Sequence, residues 1–560
     1  MILTIKNNLT RLKKIKTIQP ISNQLLNTIW QVIAVTLLLG LRLLLQKNLT
    51  SQEFNEVDVL PLAKQYLDPS WIPNDWYLNQ EPGYRLLFQT LVGWLIIQYG
   101  FLAGSIIGRL ISYTLIAIGL VLIGKQLRLS LPFLLLTIVL FTYLNKGCQQ
   151  GVIAGECLVG GLETKVFAYG FVLMALSFFL AERYILMSLF LGIATSFHVL
   201  VGGWTVLIII GWFCLRPYQG LFKIKKAIPL MFLSYIFGSI FAFPAIWEQL
   251  FVATPINNDV PASSYMYVFM RLPHHLNPFT WTQGQWTEAI IYLIILVASM
   301  TLLRYLAQKR NSQDSDEILR DRKQQKLGHF ALISLIPFLS GLLVAFFDSQ
   351  GKLLQYYPFR LADIMLPLIT CLLFVCVLEH GFFRHKSRLK LFICLILLSI
   401  SVSLQAVDFQ QRLLALQQFP SEEQEVSLEW KKMSNWIKNN TPQNAVIISP
   451  PVELPNFSWL TERATIAKYK LFSQTKTRLI EQYKRWDDLS GNTLSDSFVN
   501  GVLQGDTRTI LTSGYNNLTT AQAEALMKKY HANYLLTNVE HKLDFSIAYR
   551  QEPYILYIKN

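Results

Sequence analysis

The chain has 560 residues, of which 52% are hydrophobic and 15% charged. Soluble globular chains carry nearer a quarter charged residues, so composition excludes a single soluble domain and indicates a polytopic α-helical membrane protein. The net charge of +15 is no sign of a nucleic-acid partner, because Lys and Arg cluster in short loops between apolar runs, as cytoplasmic loops do.

The N-terminal segment holds Lys6, Arg11, Lys13, Lys14 and Lys16 and no acid before Glu53, so it is expected on the cytoplasmic side. The first apolar run, 28–45, has no A-x-A-like cleavage site and reads as a retained span. Further runs follow at 103–124, 129–144, 166–180, 185–200, 204–215, 227–246, 289–305, 330–347, 361–378 and 391–407. Charge decides how to read 84–100, YRLLFQTLVGWLIIQYG. Counting it as a span would move the basic turn 125–128 to the outside, away from the basic loops around 216–226, 304–326 and 384–390. It is therefore expected as a re-entrant or interfacial helix on the outer face, which leaves about eleven spans.

That topology makes 1–407 a membrane domain with outer loops 46–102, 145–165, 247–288 and 348–360. It delivers 408–560 outside as an α/β domain, large enough for its own core. Within this domain AVIISPP reads as a strand ending in a Pro pair and SQTKTRLIEQYKRWDDL as an amphipathic helix. TTAQAEALMKKY reads as a capped helix leading into the strand ANYLLTN, and YILYIKN as a last strand. No nucleophile motif or Gly-rich phosphate loop occurs in it. The six cysteines lie in or beside apolar segments with no CxxC pattern, and none follows Cys394, so no disulfide staples this domain.

The outer loops hold the residues that can do chemistry. In the first, Glu56 and Asp58 stand at i and i+2, on one side of an extended segment. Two carboxylates so placed can hold a divalent cation or take a proton from an acceptor hydroxyl; a solvated acidic loop is the plainer alternative. Trp71, Trp76, Tyr77 and Tyr84 suit rings at headgroup depth. The second loop brings Glu156, among glycines, and Glu163, with Lys165 two residues on as its partner or a helix N-terminus as its setting. His198 falls near the outer end of an apolar helix, where an ionisable group marks a cavity or a hydrogen-bonded structural role.

In MRLPHHLNPFTW the third loop carries Arg271, His274 and His275, which suit phosphate contacts, proton transfer or metal binding. Two histidines fall short of the three or four ligands zinc takes. Arg360, at the mouth of a span in YYPFRLADIM, can grip a phosphate bidentately, snorkel to headgroups, or pair with Asp363. Four loops thus bring ionisable groups to one membrane face. A channel would place them inside its spans, and a transporter would show inverted repeats or broken helices.

The layout resembles the GT-C superfamily of polytopic glycosyltransferases, which includes oligosaccharyltransferases, protein mannosyltransferases and aminoarabinose transferases. The resemblance is carried by a cytoplasmic N-terminus, the acidic first outer loop FNEVDVLPLAKQYLDPSW and the interfacial helix PGYRLLFQTLVG. It continues in the acid ahead of a span in GGLETKVFAYG and in an odd span count that puts the soluble domain outside. GGLETKVFAYG, MRLPHHLNPFT and YYPFRLADIM also look like an uncharacterised bacterial multi-pass family. The resemblance implies that Asp58, with Glu56 beside it, is base or metal ligand, that Glu163 or Glu156 is the second-loop acid, and that Arg360 holds a lipid phosphate. The C-terminal domain lacks a WWD-type acceptor motif. The expected activity is sugar transfer from a polyprenyl-(pyro)phosphate donor at the outer face of the plasma membrane, with Mg or Mn at Asp58 and Glu163 as candidate cofactor. A lipid or glycan transporter and a non-catalytic scaffold with an extracytoplasmic binding domain are the alternatives.

Overall fold

The computed structural model describes residues 21–45, 55–143, 150–215, 224–251, 260–310, 313–382, scattered positions between 388 and 403, and then 427–473, 475–499 and 501–559. The basic N-terminal segment, most of the run 391–407 and the connection 408–426 lie outside the described residues.

The main helices of the membrane domain among the described residues are α1 Ile21–Leu45, α2 Glu56–Leu67, α3 Leu86–Leu127, α4 Leu131–Tyr143, α5 Thr164–Leu180, α6 Tyr184–Phe197, α7 Val199–Leu215, α8 Ile228–Gly238, α9 Phe243–Phe251, α10 Gln283–Arg310, α11 Ser315–Ala345 and α12 Arg360–Val377. Among the described residues five helices are long and apolar enough to cross a membrane, in α1, α3, α10, α11 and α12. A sixth arises if α8 and the segment Ile240–Phe251, bent by 57°, count as one. The helices α4 to α7 are apolar but shorter. The apolar runs from 28 to 378 therefore fall on helices, with 185–200 crossing a break at His198 and 227–246 a break at Ser239. The helix α5 is buried almost throughout, as is α12, and their side chains join one apolar core with α3, α6 and α7.

The stretch expected as a separate helix over 84–100 is the first arm of α3. Counted from Gly83, that helix runs 45 residues, over twice the about 20 that a span needs. It is broken at Gly100, where φ is +75° and ψ 173°. Only glycine enters that region without strain.

The C-terminal domain comprises α13 Leu428–Asn440, β1 Val446–Ile448, β2 Ala464–Thr465, α14 Lys476–Leu489, the hairpin β3 Phe498–Val499 and β4 Val502–Leu503, α15 Thr507–Asn516, α16 Thr520–Lys529, β5 Tyr534–Asn538, β6 Ser546–Gln551 and β7 Tyr554–Ile558. The five-stranded sheet has the order β2-β1-β5-β7-β6, with β2, β1 and β5 parallel and the rest antiparallel. The five segments singled out from the sequence form β1, α14, α16, β5 and β7. The capping box of α16 is present, Thr519 with Gln522. In α14, Leu479, Tyr483 and Trp486 share the buried face, the spacing of an amphipathic helix. Trp486 stacks against Phe472 and lies beside Tyr469.

Two seams dock this domain on the bundle. In the first, Leu62, Trp71, Ile72, Tyr77 and Leu78 pack with Ala464 and Leu471. Asp75, 1% exposed, ties it with four hydrogen bonds. It accepts from Tyr77 N and Leu78 N of its own loop and from Ser458 Oγ and Thr465 N of the domain. Burial raises the Asp75 pKa against the pull of those four donors. In the second seam the Tyr469 hydroxyl donates to Met270 O, and Tyr265 accepts from Leu503 N. Trp71 and Tyr77 are thus interior seam residues rather than the headgroup belt expected of them: sheet-domain side chains cover their rings.

Candidate functional site

The EVD motif is helical, not extended. Successive residues of an α-helix are rotated by about 100°, so i and i+2 point almost oppositely. Glu56, fully buried, faces the bundle, where Arg109 Nε lies 2.5 Å from Oε1 and Ser105 Oγ and Leu162 N also donate to it. Asp58 faces the seam. Its Oδ2 is 3.1 Å from Arg85 Nη2, and its Oδ1 accepts from the Tyr77 hydroxyl and, at 3.4 Å, from Arg85 Nη1. Burial and then the Asp58 charge raise the Tyr77 pKa well above its ordinary value, which keeps it a donor.

The second loop is held on Asp363. Its carboxylate accepts from Ile153 N, Ala154 N and Glu156 N, the three bonds that bend 153–156 into a cradle. A Cβ on Gly151 would collide with that carboxylate. Asp363 is therefore not the partner of Arg360. Arg360, the first residue of α12, instead donates from Nε to Glu156 Oε1 at 2.8 Å and from Nη1 to His198 Nε2 at 2.9 Å, and stacks 3.7 Å over the Tyr357 ring. Lys165, second residue of α5, lies 3.5 Å from both Glu156 and Glu163. Burial alone would raise the Glu156 pKa, but Arg360, Lys165 and His275 hold it down at about 2.

These contacts close into a ring. From Glu163 it passes through Lys165, Glu156, Arg360 and His198 to Tyr84, whose ring is 5.2 Å from that of His198. It continues through Arg85, which donates to the Tyr84 hydroxyl, to Asp58, whose backbone N donates to Asn55 O. The Asn55 side chain donates back to Glu163 at 3.2 Å. The ring stands over the N-termini of α5 and α12, whose dipoles add positive potential there. Exposure separates the acids in and beside the ring. The Glu56 and Glu156 side chains are 0% exposed, whereas Asp58 is 10% and Glu163 14%. The latter two are the carboxylates a ligand can reach.

The third loop supports this ring rather than joining it. His275 Nδ1 hydrogen-bonds to Ala154 O at the cradle, and burial, with His274 next, pushes its pKa down to about 3. His274 is lowered to about 4 by burial, then by Arg271 and Arg508. Arg271 reaches the other domain, donating to Lys470 O at 3.2 Å. Among the described residues no three His, Cys, Asp or Glu side chains cluster as metal ligands. Asp58 and Glu163, expected to share Mg or Mn, are each held by a cation.

Beside the ring, an apolar groove of about 440 Å³ runs between α7 and α11, lined by Val199, Leu200, Trp204, Leu207, Val344 and Tyr356. Val199 and Leu200 directly follow His198, and Pro358, also in its wall, lies two residues before Arg360. Leu207 and Leu353 in its wall are more than half exposed.

Sequence reasoning did not single out Arg85, Arg109, Tyr77 and Tyr84 as polar partners in the site. Arg109 did leave a signal: a charge inside an apolar run needs a buried partner, and Glu56, expected beside Asp58 as base or metal ligand, stood in the preceding loop and is that partner.

Residues 428–489, in the C-terminal domain, match the model of a domain of unknown function, DUF6798. No curated protein sequence matches the chain. Among solved structures, the chain is similar to ArnT from Cupriavidus metallidurans bound to undecaprenyl phosphate, with 11% identity and a TM-score of 0.47, over 94% of this chain and 97% of that one. It is also similar to the archaeal oligosaccharyltransferase AglB from Archaeoglobus fulgidus, in complex with an inhibitory peptide and a dolichol-phosphate. There the identity is 10% and the TM-score 0.43, over 92% of this chain and 69% of that one.

Proposed function

We propose that this chain is a membrane glycosyltransferase that moves a sugar from a polyprenyl-phosphate- or pyrophosphate-linked donor to an acceptor, at the membrane face bearing the C-terminal domain. In the cell this is the outer face of the plasma membrane, with the basic N-terminus in the cytoplasm. One observation carries the reading: Asp58, Glu163 and Arg360, far apart in sequence, belong to one ring of contacts, and the neighbours of His198 and Arg360 line an apolar groove. The groove takes the polyprenyl chain. The donor phosphate lies against Arg360 and Lys165, where two cations and two helix N-termini favour an anion.

The acceptor hydroxyl oxygen bonds to the anomeric carbon as the bond from that carbon to the phosphate oxygen breaks. The electron pair leaves with the phosphate, whose growing charge Arg360 and Lys165 stabilise. The hydroxyl proton passes to Asp58 or Glu163, the two accessible carboxylates. Glu56 and Glu156 hold Arg109, Arg360 and Lys165 in place.

Asp58→Asn keeps the shape and the Tyr77 contact but removes the charge. Transfer from a lipid-linked donor in membranes should fall by about 10²–10⁴-fold. Unchanged transfer in both Asp58→Asn and Glu163→Gln would remove the acid pair from the mechanism.

A further inference from the structure

Where the C-terminal domain meets the third loop, basic side chains gather that the ring does not use. The Arg271 guanidinium lies 5.0 Å from the Tyr469 ring centroid and that of Arg508 5.9 Å from the same ring. One aromatic side chain is thus flanked by cations from two domains. Arg271 also binds the carbonyl of Lys470, which fixes Lys470 beside it. The charges of Arg271 and Arg508 and those of Glu163 and Asp58 all act on the Lys470 amine. His274 feels both arginines as well.

The acids nearby are already engaged. Asp506 caps α15 through Thr509, Asp58 is bound to Arg85, and Glu163 to Lys165. Neither Arg271 nor Arg508 has a carboxylate partner among the described residues, and Arg271 Nε is buried without a hydrogen-bond partner. Held together, like charges raise each other's energy. Burial first, and then Arg271, lower the Lys470 pKa to about 8.

We propose that Arg271, Lys470 and Arg508 form a second anion site, separate from the Arg360 centre, that holds a phosphate group of the acceptor. Guanidinium groups bind phosphate bidentately, and Lys470 then sets the bound group next to the accessible acids. The acceptor assignment rests on the transferase reading; the anion site itself does not.

The test titrates inorganic pyrophosphate into the full chain in nanodiscs by calorimetry. In uncharged lipid, saturable binding is expected, weakened about tenfold in Arg508→Ala and in Lys470→Gln and retained in Arg360→Lys. Arg508 is exposed, so its variant should fold. Discs containing phosphatidylglycerol separate two phosphate sources. Loss of pyrophosphate binding there assigns the seam to a lipid headgroup, and persistence assigns it to a phosphate on a non-lipid acceptor. The site is overturned by absence of saturable binding, by wild-type affinity in both Arg508→Ala and Lys470→Gln, or by loss in Arg360→Lys alone. Sugar transfer is measured separately, so its failure leaves the binding result standing.

Discussion

Arg360 and Arg463 are buried to a similar degree, 7% and 6% exposed, but their partners differ in kind. Arg360, in the membrane-face ring, meets the Glu156 carboxylate and the His198 imidazole. Arg463, in the C-terminal domain, donates to the carbonyls of Lys438, Thr441, Thr461 and Glu462 and to the Thr441 hydroxyl. The lysines repeat the contrast. Lys165 lies against two carboxylates, whereas Lys468, 1% exposed, donates to the Pro450 carbonyl. The Glu163 carboxylate, 14% exposed beside Lys165, can turn aside and let an incoming phosphate take its place with little change in local charge. A carbonyl fixed in the backbone cannot. Charge in the ring is therefore exchangeable, and charge in the sheet domain is structural.

Removing Arg360 should separate the two regions most sharply. Arg360→Ala leaves Glu156 buried without its main counter-charge, a loss of about 3–5 kcal/mol. It should be read as a lower melting temperature of the purified full chain, together with lost sugar transfer. Parent-like melting would show that the Glu156–Arg360 pair adds nothing to stability. Arg463→Met should cost less, about 1–3 kcal/mol for stranded acceptors, and leave transfer per folded molecule unchanged. A specific loss of transfer in the folded variant would erase the distinction drawn here.

The smallest effect at neutral pH is expected from Lys468→Met, and it should appear in the pH profile. Burial lowers the Lys468 pKa to about 7, against weaker raising by Glu453 and Asp75. The unfolded chain binds this proton up to its ordinary 10.5. Between about 7 and 10.5 it therefore holds more protons than the folded chain, and this residue makes stability rise with pH. The parent's melting temperature should climb relative to that of Lys468→Met across this window. Parallel profiles would place the Lys468 amine in a more polar setting than its burial implies.

The helical framework was legible because apolar runs of spanning length have one common solution in lipid, the α-helix. Those from 28 to 378 all became helices, and the strands at 446–448, 534–538 and 554–558 fell where alternation and turn residues put them. The gathering of Asp58, Glu156, Glu163 and Arg360 was legible as well, because each stood at the edge of a run on the same expected face. Pairing was not. Whether Arg360 would meet Asp363, three residues on, or Glu156, 204 residues away, depends on how 153–156 folds around Asp363, a tertiary fact. The EVD motif was misread because alternate residues share a side only in a strand; the helix sends Glu56 and Asp58 to different neighbours.

The carboxylate of Asp75 reaches across 383 residues to Ser458 and 390 to Thr465. During synthesis the segment bearing it, which is also the wall bearing Asp58 and Tyr77, emerges long before the strands that will clasp it. The seam that closes over Asp58 and Tyr77 is then among the last parts of the molecule to be finished. A chain that stops before residue 458 lacks both partners that Asp75 finds in the C-terminal domain.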